Sequence, residues 1–306
     1  MNSSPFFIVG SARSGTTLLR LMLNAHPEVA VPPESRFIVE LYDGNDEVNT
    51  TSFLARLDAH HRFQQWDLPI TAVRDELAGE GNEPAGLPYP EAIAAAFRAY
   101  ARVQGKSRWG DKTPRYVESI PLLARLWPQA RFIHLIRDGR DVARSYADVP
   151  FGPKTVGQAA ALWAQRVRAG IRDGRALEPG HYIEINYEDL VDDAEGETKD
   201  ICDFLELDFD PGMLDYTERA RGSVLPRAAM YNPKVTEKPS LTRSWRDSLS
   251  PGLVEAFEAV AGDVLSELGY ERAFPEPTAR ARFVGRLGAA GLPVGRLKGS
   301  AAPAAK

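Results

Sequence analysis

Residues 5–27, PFFIVGSARSGTTLLRLMLNAHP, decide how this chain folds. The apolar run PFFIVG reads as a short buried strand. After the glycine-bounded loop GSARSGTT (10–17), Leu18, Leu19, Met22 and Leu23 recur at helical spacing until Pro27 closes the segment. Strand, glycine loop and helix in that order open a doubly wound α/β domain. The loop has the frame G-x-x-x-x-G of a phosphate-binding turn, but Thr16 stands where a nucleotide-hydrolysing loop places its lysine. Backbone N–H groups and the N-terminus of the helix still suit an anion, and Arg13, Ser14, Thr16 and Thr17 add donors. A plain strand-to-helix turn is the alternative.

Further along, ARFIHLIR (130–137) reads as a second buried strand, followed by the loop DGRD and a helix around VARSYA; HYIEINYEDL contains a third strand. Helical patterns occupy EAIAAAFRAYARVQ, PLLARLWP, GQAAALWAQRVRAGIRDG, TKDICDFLEL and PGLVEAFEAVAGDVLSELGY. Residues 43–90 carry short helical patterns broken by GEGNEPAGLPYP, and 215–250 read as irregular and polar. Alternating strands and helices predict a three-layer, P-loop-containing sandwich with a central, mostly parallel sheet and ligands beyond the strand C-termini. Arg137, at the end of the second strand, and Ser145, in the helix after it, can converge on one phosphate there. A solvated arginine-rich turn is the competing account. Two anion sites on one sheet describe a ligand with two separated phosphate-like groups.

Composition narrows the classes. The 306 residues are 43% hydrophobic and 26% charged, with a formal net charge of −5, which argues against a generic nucleic-acid binder. Cys202 is the single cysteine, so an intramolecular disulfide and a cysteine metal cluster are both excluded, and a reducing, cytoplasmic setting is expected. No stretch reaches the roughly 20 apolar residues of a membrane span. Neither a signal peptide nor a membrane anchor is expected. Residues 1–275 are expected to form one catalytic domain, with the basic Ala/Gly/Pro-rich stretch 276–306 as a frayed or disordered tail.

FIVGSARSGTTLLRLMLNAHP resembles the 5′-phosphosulfate loop of sulfotransferases that use 3′-phosphoadenosine-5′-phosphosulfate (PAPS), and FIHLIRDGRDVARS resembles their 3′-phosphate site. The R-S-G-T-T-L loop is most similar to the tyrosylprotein sulfotransferases and their bacterial relatives. The resemblance covers residues 5–37, 108–146 and 182–193, with a fainter echo at 240–246. It implies that Ser11, Ala12, Arg13, Ser14, Gly15, Thr16 and Thr17 hold the 5′ end of PAPS, that Arg137 and Ser145 hold the 3′-phosphate, and that Tyr187 of NYEDL contacts adenine. It also implies transfer without a metal, to a small-molecule, carbohydrate or peptide acceptor. The oligomeric state is left open, with a homodimer as one possibility.

Sulfuryl transfer is an in-line displacement, so the acceptor has to lose a proton and charge on the departing oxygen has to be offset. VPPESRFIVEL resembles the E-T-R segment of the tyrosylprotein enzymes, which makes Glu34 the expected base and Arg36 an expected acceptor contact. A glutamate base works better if desolvation raises its pKa toward neutrality; a charge favouring a helix N-terminus is the alternative reading. Lys112 of WGDKTP resembles the family lysine beside the departing oxygen, with a solvated loop lysine as the alternative. Arg13 is expected to assist it. His134 reads as a packed core residue and His26 as a helix-end cap, while His60 and His61 stay open. In PSLTRSWRDSL, Arg243 takes the family's basic position before the tryptophan, with Ser240 and Arg246 nearby; a serine-rich segment found upstream in the relatives has no clean counterpart. Two other readings compete: a P-loop nucleotide kinase, disfavoured by the missing lysine and by the lack of an acid in FIVG or FIHLI, and a catalytically silent binder of the bisphosphate nucleotide.

Overall fold

The computed structural model describes residues 4–79, 84–216 and 244–297. Seven strands occur among them: β1 (Phe6–Gly10), β2 (Val29–Ala30), β3 (Glu47–Asn49), β4 (Gly86–Pro88), β5 (Arg108–Lys112), β6 (Arg131–Ile136) and β7 (Tyr182–Asn186). Five form one sheet in the order β2-β5-β1-β6-β7, with every neighbouring pair parallel. All five residues of β1 are buried, as a central strand covered on both faces requires. Helices flank both faces, as the sequence predicts.

Alternation along β1 divides the core. Phe6 and Ile8 face the helix Thr16–Ala25 and the helix Ala194–Leu205. Phe7 and Val9 face an aromatic cluster in which the Phe7 and Phe132 rings stack at 5.4 Å, and Trp109 stacks on Phe97 at 4.4 Å. The long helix Val156–Arg175 opens on a complete capping box between Thr155 and Gln158 and packs with Pro251–Glu267 around Trp163 and Phe257. The described part of residues 43–90 includes two helices, Thr50–Asp58 and Ile70–Ala78, and the antiparallel pair of β3 with β4.

One expectation needs correction and one alternative falls. Lys112 is not a solvated loop lysine. Arg108–Lys112 is a strand paired with β1, concealed in the sequence because a glycine and three charged residues leave Trp109 as its one apolar position. Nor is the stretch after Glu276 frayed throughout: Ala279–Ala289 is a helix seated on Val156–Arg175 and Pro251–Glu267. The seat is backbone against backbone, for a Cβ at Gly157 would lie 2.2 Å from the Gly285 carbonyl oxygen. Small residues that look like linker composition are here the contact surface. The chain beyond residue 297 lies outside the described residues.

Candidate active site

The loop between β1 and the first helix is built by positive φ. Arg13 has φ 76°, and Gly15, capping the helix, has φ 94°. The first turn of that helix carries no acidic residue, so its N–H groups meet no competing carboxylate. Ser11, Ser14 and Thr16 are buried. Ser14 Oγ has no hydrogen-bond partner among the described residues, although such groups are normally satisfied.

Gly15 admits no side chain. An added Cβ would sit 2.2 Å from Cδ2 of Tyr187, in a conformation L-residues rarely adopt. Tyr187 begins the helix after β7 and carries the Arg137 guanidinium over its ring at 4.3 Å. Gly15→Ala is therefore expected to displace Tyr187 and destabilise the fold by roughly 1–3 kcal/mol. Urea denaturation reads this directly, and the same substitution in a Tyr187→Ala background, where the clash is gone, should cost less.

Arg13, Arg137 and Ser145 come together. Arg13 Nε donates to Ser145 Oγ at 2.9 Å, and Arg137 Nη1 donates to the Arg13 carbonyl at 3.4 Å. Arg137 Nε is buried without a partner. Burial lowers the Arg13 pKa, with Tyr146 opposing and neighbouring Arg137 assisting. The loop and the second anion group are thus contiguous, linked through the Arg13 side chain rather than merely facing one another. The Arg137 carbonyl is fixed by Trp163 Nε1 at 3.1 Å, and Asp138 N donates to Glu188 at 3.0 Å.

Glu34 and Lys112 also meet: Lys112 Nζ lies 2.8 Å from Glu34 Oε1, with Arg62 at 4.0 Å from the other oxygen. The segment leading to Glu34 is held from several sides. Arg20 Nε donates to the Val31 carbonyl, Val31 N donates to Asn24, and Trp66 Nε1 donates to the Pro33 carbonyl, each at 2.9 Å. Arg36 adopts φ 52° just after Glu34, a conformation rare outside glycine. Burial pushes the Glu34 carboxyl up, but Lys112, then Arg62 and Arg36, outweigh it, and the net shift is downward. The carboxyl is not raised in the free chain, because its cationic partner lies within hydrogen-bond reach.

The remaining candidates separate. His134 is buried, with Nδ1 2.7 Å from the Tyr182 hydroxyl, and burial lowers it to about 4, which suits a packed residue. His26 caps the first helix and takes a hydrogen bond from Glu28 N at 3.1 Å. His60 pairs with Glu40 at 2.9 Å and stacks on His61. Arg246 reaches Glu271 at 3.6 Å. Arg243 and Ser240 lie outside the described residues. Sequence reasoning passed over Arg20, whose one signal is a cation among the apolar positions of the first helix. It also passed over Asp111, hidden with its strand. Asp111 is an acid on the strand beside β1, but its register partner is Phe7, which places it on the sheet face opposite the first helix.

Comparison with known proteins agrees with this geometry. The family model described as "Sulfotransferase family" matches residues 5–211. A protein described as "Putative protein-tyrosine sulfotransferase" from Caenorhabditis briggsae is 25% identical over 284 residues, covering 89% of this chain and 90% of that protein. The nodulation protein NoeE of Sinorhizobium fredii is 27% identical, over 87% of this chain and 66% of its own length. Among solved structures, the sulfotransferase domain of the Synechococcus PCC 7002 olefin synthase superposes with a TM-score of 0.61 at 24% identity, covering 87% of this chain and 94% of that domain. That last likeness bears on the fold. Among the described residues no helix is long and apolar enough to cross a membrane.

Proposed function

Because the chain belongs to the sulfotransferase family, we propose that it transfers a sulfuryl group from PAPS to a hydroxyl or amine acceptor, leaving adenosine 3′,5′-bisphosphate. The observation that supports this most is the pair of buried, unpartnered donors, Ser14 Oγ and Arg137 Nε, at the ends of adjacent strands β1 and β6. They fit a ligand with two anionic ends. The 5′ end falls to Ser11–Thr17 and the helix N-terminus, the 3′-phosphate to Arg137 and Ser145, and the adenine to Tyr187. PAPS supplies the sulfuryl group and a good leaving oxygen.

The chain's own residues do the rest. Glu34 accepts the acceptor's proton as the new S–O bond forms; Lys112 offsets charge on the oxygen that departs as the old S–O bond breaks. Arg13, in the anion-binding loop, adds positive charge to the hold on the sulfuryl donor. Lys112 is shared between two partners. While it stays on Glu34 it holds the base ionised and weak; once it turns to the departing oxygen, burial raises Glu34's affinity for a proton. Arg36 and Arg62 beside Glu34 suit a hydroxyl-rich acceptor, so a small molecule or carbohydrate stands ahead of a peptide tyrosine. Cys202, buried against Met213, is consistent with a reducing, cytoplasmic setting.

Calorimetric titration with 3′,5′-ADP and with ATP–magnesium tests the reading. Tighter binding of 3′,5′-ADP is expected, and its loss on Arg137→Ala; tighter ATP binding would favour a kinase instead. Screening acceptor pools by mass spectrometry for an added sulfo group identifies the acceptor.

A further inference from the structure

The ladder between β6 and β7 ends with Ile136 opposite Asn186. The peptide unit between Arg137 and Asp138 lies past that ladder, and side chains take both of its polar groups. Trp163 Nε1 donates to the Arg137 carbonyl at 3.1 Å, and the Asp138 N–H donates to Glu188 Oε1 at 3.0 Å. The other oxygen of the Glu188 carboxylate accepts from the Tyr270 hydroxyl at 3.0 Å. Glu188 directly follows Tyr187, whose ring lies under the Arg137 guanidinium at 4.3 Å. A closed circuit results. It runs from the Arg137 guanidinium to the Tyr187 ring, along the chain to Glu188, through its carboxylate to Asp138, and back along the chain to Arg137. Glu188 takes no part in the transfer itself.

We propose that Glu188 is a positioning residue that holds Arg137 and Tyr187 as one unit, and so sets a preference for adenine nucleotides that carry a 3′-phosphate. The proposal rests on the reading of Arg137 as the 3′-phosphate contact and Tyr187 as the adenine contact. An arginine side chain has several rotatable bonds, and ordering them on binding weakens affinity. Here much of that ordering is complete in the free chain. The Tyr187 ring supports the guanidinium from below, while Glu188 and Trp163 fix the peptide unit from which the side chain leaves. Adenine and the 3′-phosphate hang from one ribose, so their two contacts have to keep a constant spacing. Glu188 ties the two segments that carry them. Tyr270 keeps the carboxylate from swinging away, and is itself anchored where its N–H donates to the Leu265 carbonyl at 2.9 Å.

Calorimetric titration with 3′,5′-ADP and with 5′-AMP tests this, because the two ligands differ by the 3′-phosphate alone. Glu188→Ala leaves the Asp138 N–H without its acceptor and should weaken 3′,5′-ADP about thirtyfold but 5′-AMP only about threefold, so the preference falls about tenfold. Glu188→Gln keeps an amide oxygen for that N–H and should hold the preference within about threefold of the wild type. Tyr270→Phe releases the far end of the carboxylate. It should lower the preference about threefold by itself and add nothing to Glu188→Ala. Equal weakening of both ligands by Glu188→Ala would make Glu188 a structural support, and a Gln variant as poor as Ala would place the effect in its charge; either result overturns the proposal. Should urea denaturation show that the Ala variant does not fold, Tyr270→Phe decides: a lowered preference supports the proposal and an unchanged one rejects it. A wild type that binds 5′-AMP as tightly as 3′,5′-ADP rejects the bisphosphate reading itself, and the role of Glu188 with it.

Discussion

Glu34→Gln is expected to lower sulfuryl transfer by about 10²–10⁴-fold, the usual worth of a positioned general base. The affinity for 3′,5′-ADP should stay unchanged, because Glu34 contacts neither the loop nor Arg137 among the described residues. Single-turnover kinetics with PAPS and calorimetric binding of 3′,5′-ADP separate the two quantities. Unchanged turnover would remove Glu34 as the base. Equal loss of binding would instead make it structural. The pH dependence carries a sign as well. In the free chain Lys112, Arg62 and Arg36 hold Glu34 below its ordinary range despite burial, so the acid limb of kcat/KM should lie below the usual glutamate value. Lys112→Met removes the strongest of those pulls and leaves burial to dominate, so the limb should move to higher pH even as the rate falls. A limb that stays in place would mean that Lys112 does not control the ionisation of Glu34.

Arg140→Met is expected to destabilise the fold by about 3–5 kcal/mol, the cost of removing one partner from a buried ion pair. Arg140 is 1% exposed. It donates to Asp138 from Nε at 3.0 Å and Nη2 at 2.7 Å, and to Glu258 from Nη1 at 2.6 Å. Its guanidinium lies 3.9 Å from the centre of the Trp245 ring, and Trp245 Nε1 in turn donates to Asp138. Methionine would fill the volume but leave buried Asp138 without its cation and Glu258 with only Arg272, at 4.0 Å. Urea denaturation measures the loss; a change below about 1 kcal/mol would show that solvent reaches the network and screens it. Since Asp138 follows Arg137, reduced 3′,5′-ADP affinity should accompany the loss of stability.

Much of this chain is legible from the order of its residues. The octet GSARSGTT between an apolar run and a helical period requires a strand, a tight turn and a helix, because only glycine tolerates the backbone at Gly15. The missing lysine and the second arginine group after β6 are what the proposed class of ligand rests on in the sequence. Local periodicity and local backbone chemistry suffice for those inferences.

Tertiary contact decided the rest. β5 is a strand because β1 and β2 pair with it, not because RWGDK has strand character, and Asp111 came into view only with that pairing. Arg13 meets Ser145 across 132 positions, and Lys112 meets Glu34 across 78. The lowered Glu34 carboxyl is a property of that meeting: burial alone, the part a sequence suggests, pushes the other way. Sequence specifies which groups are present and what backbone each can adopt. The protonation state of a buried group depends on which charges end up within a few ångströms of it, and the folding of distant segments together determines that.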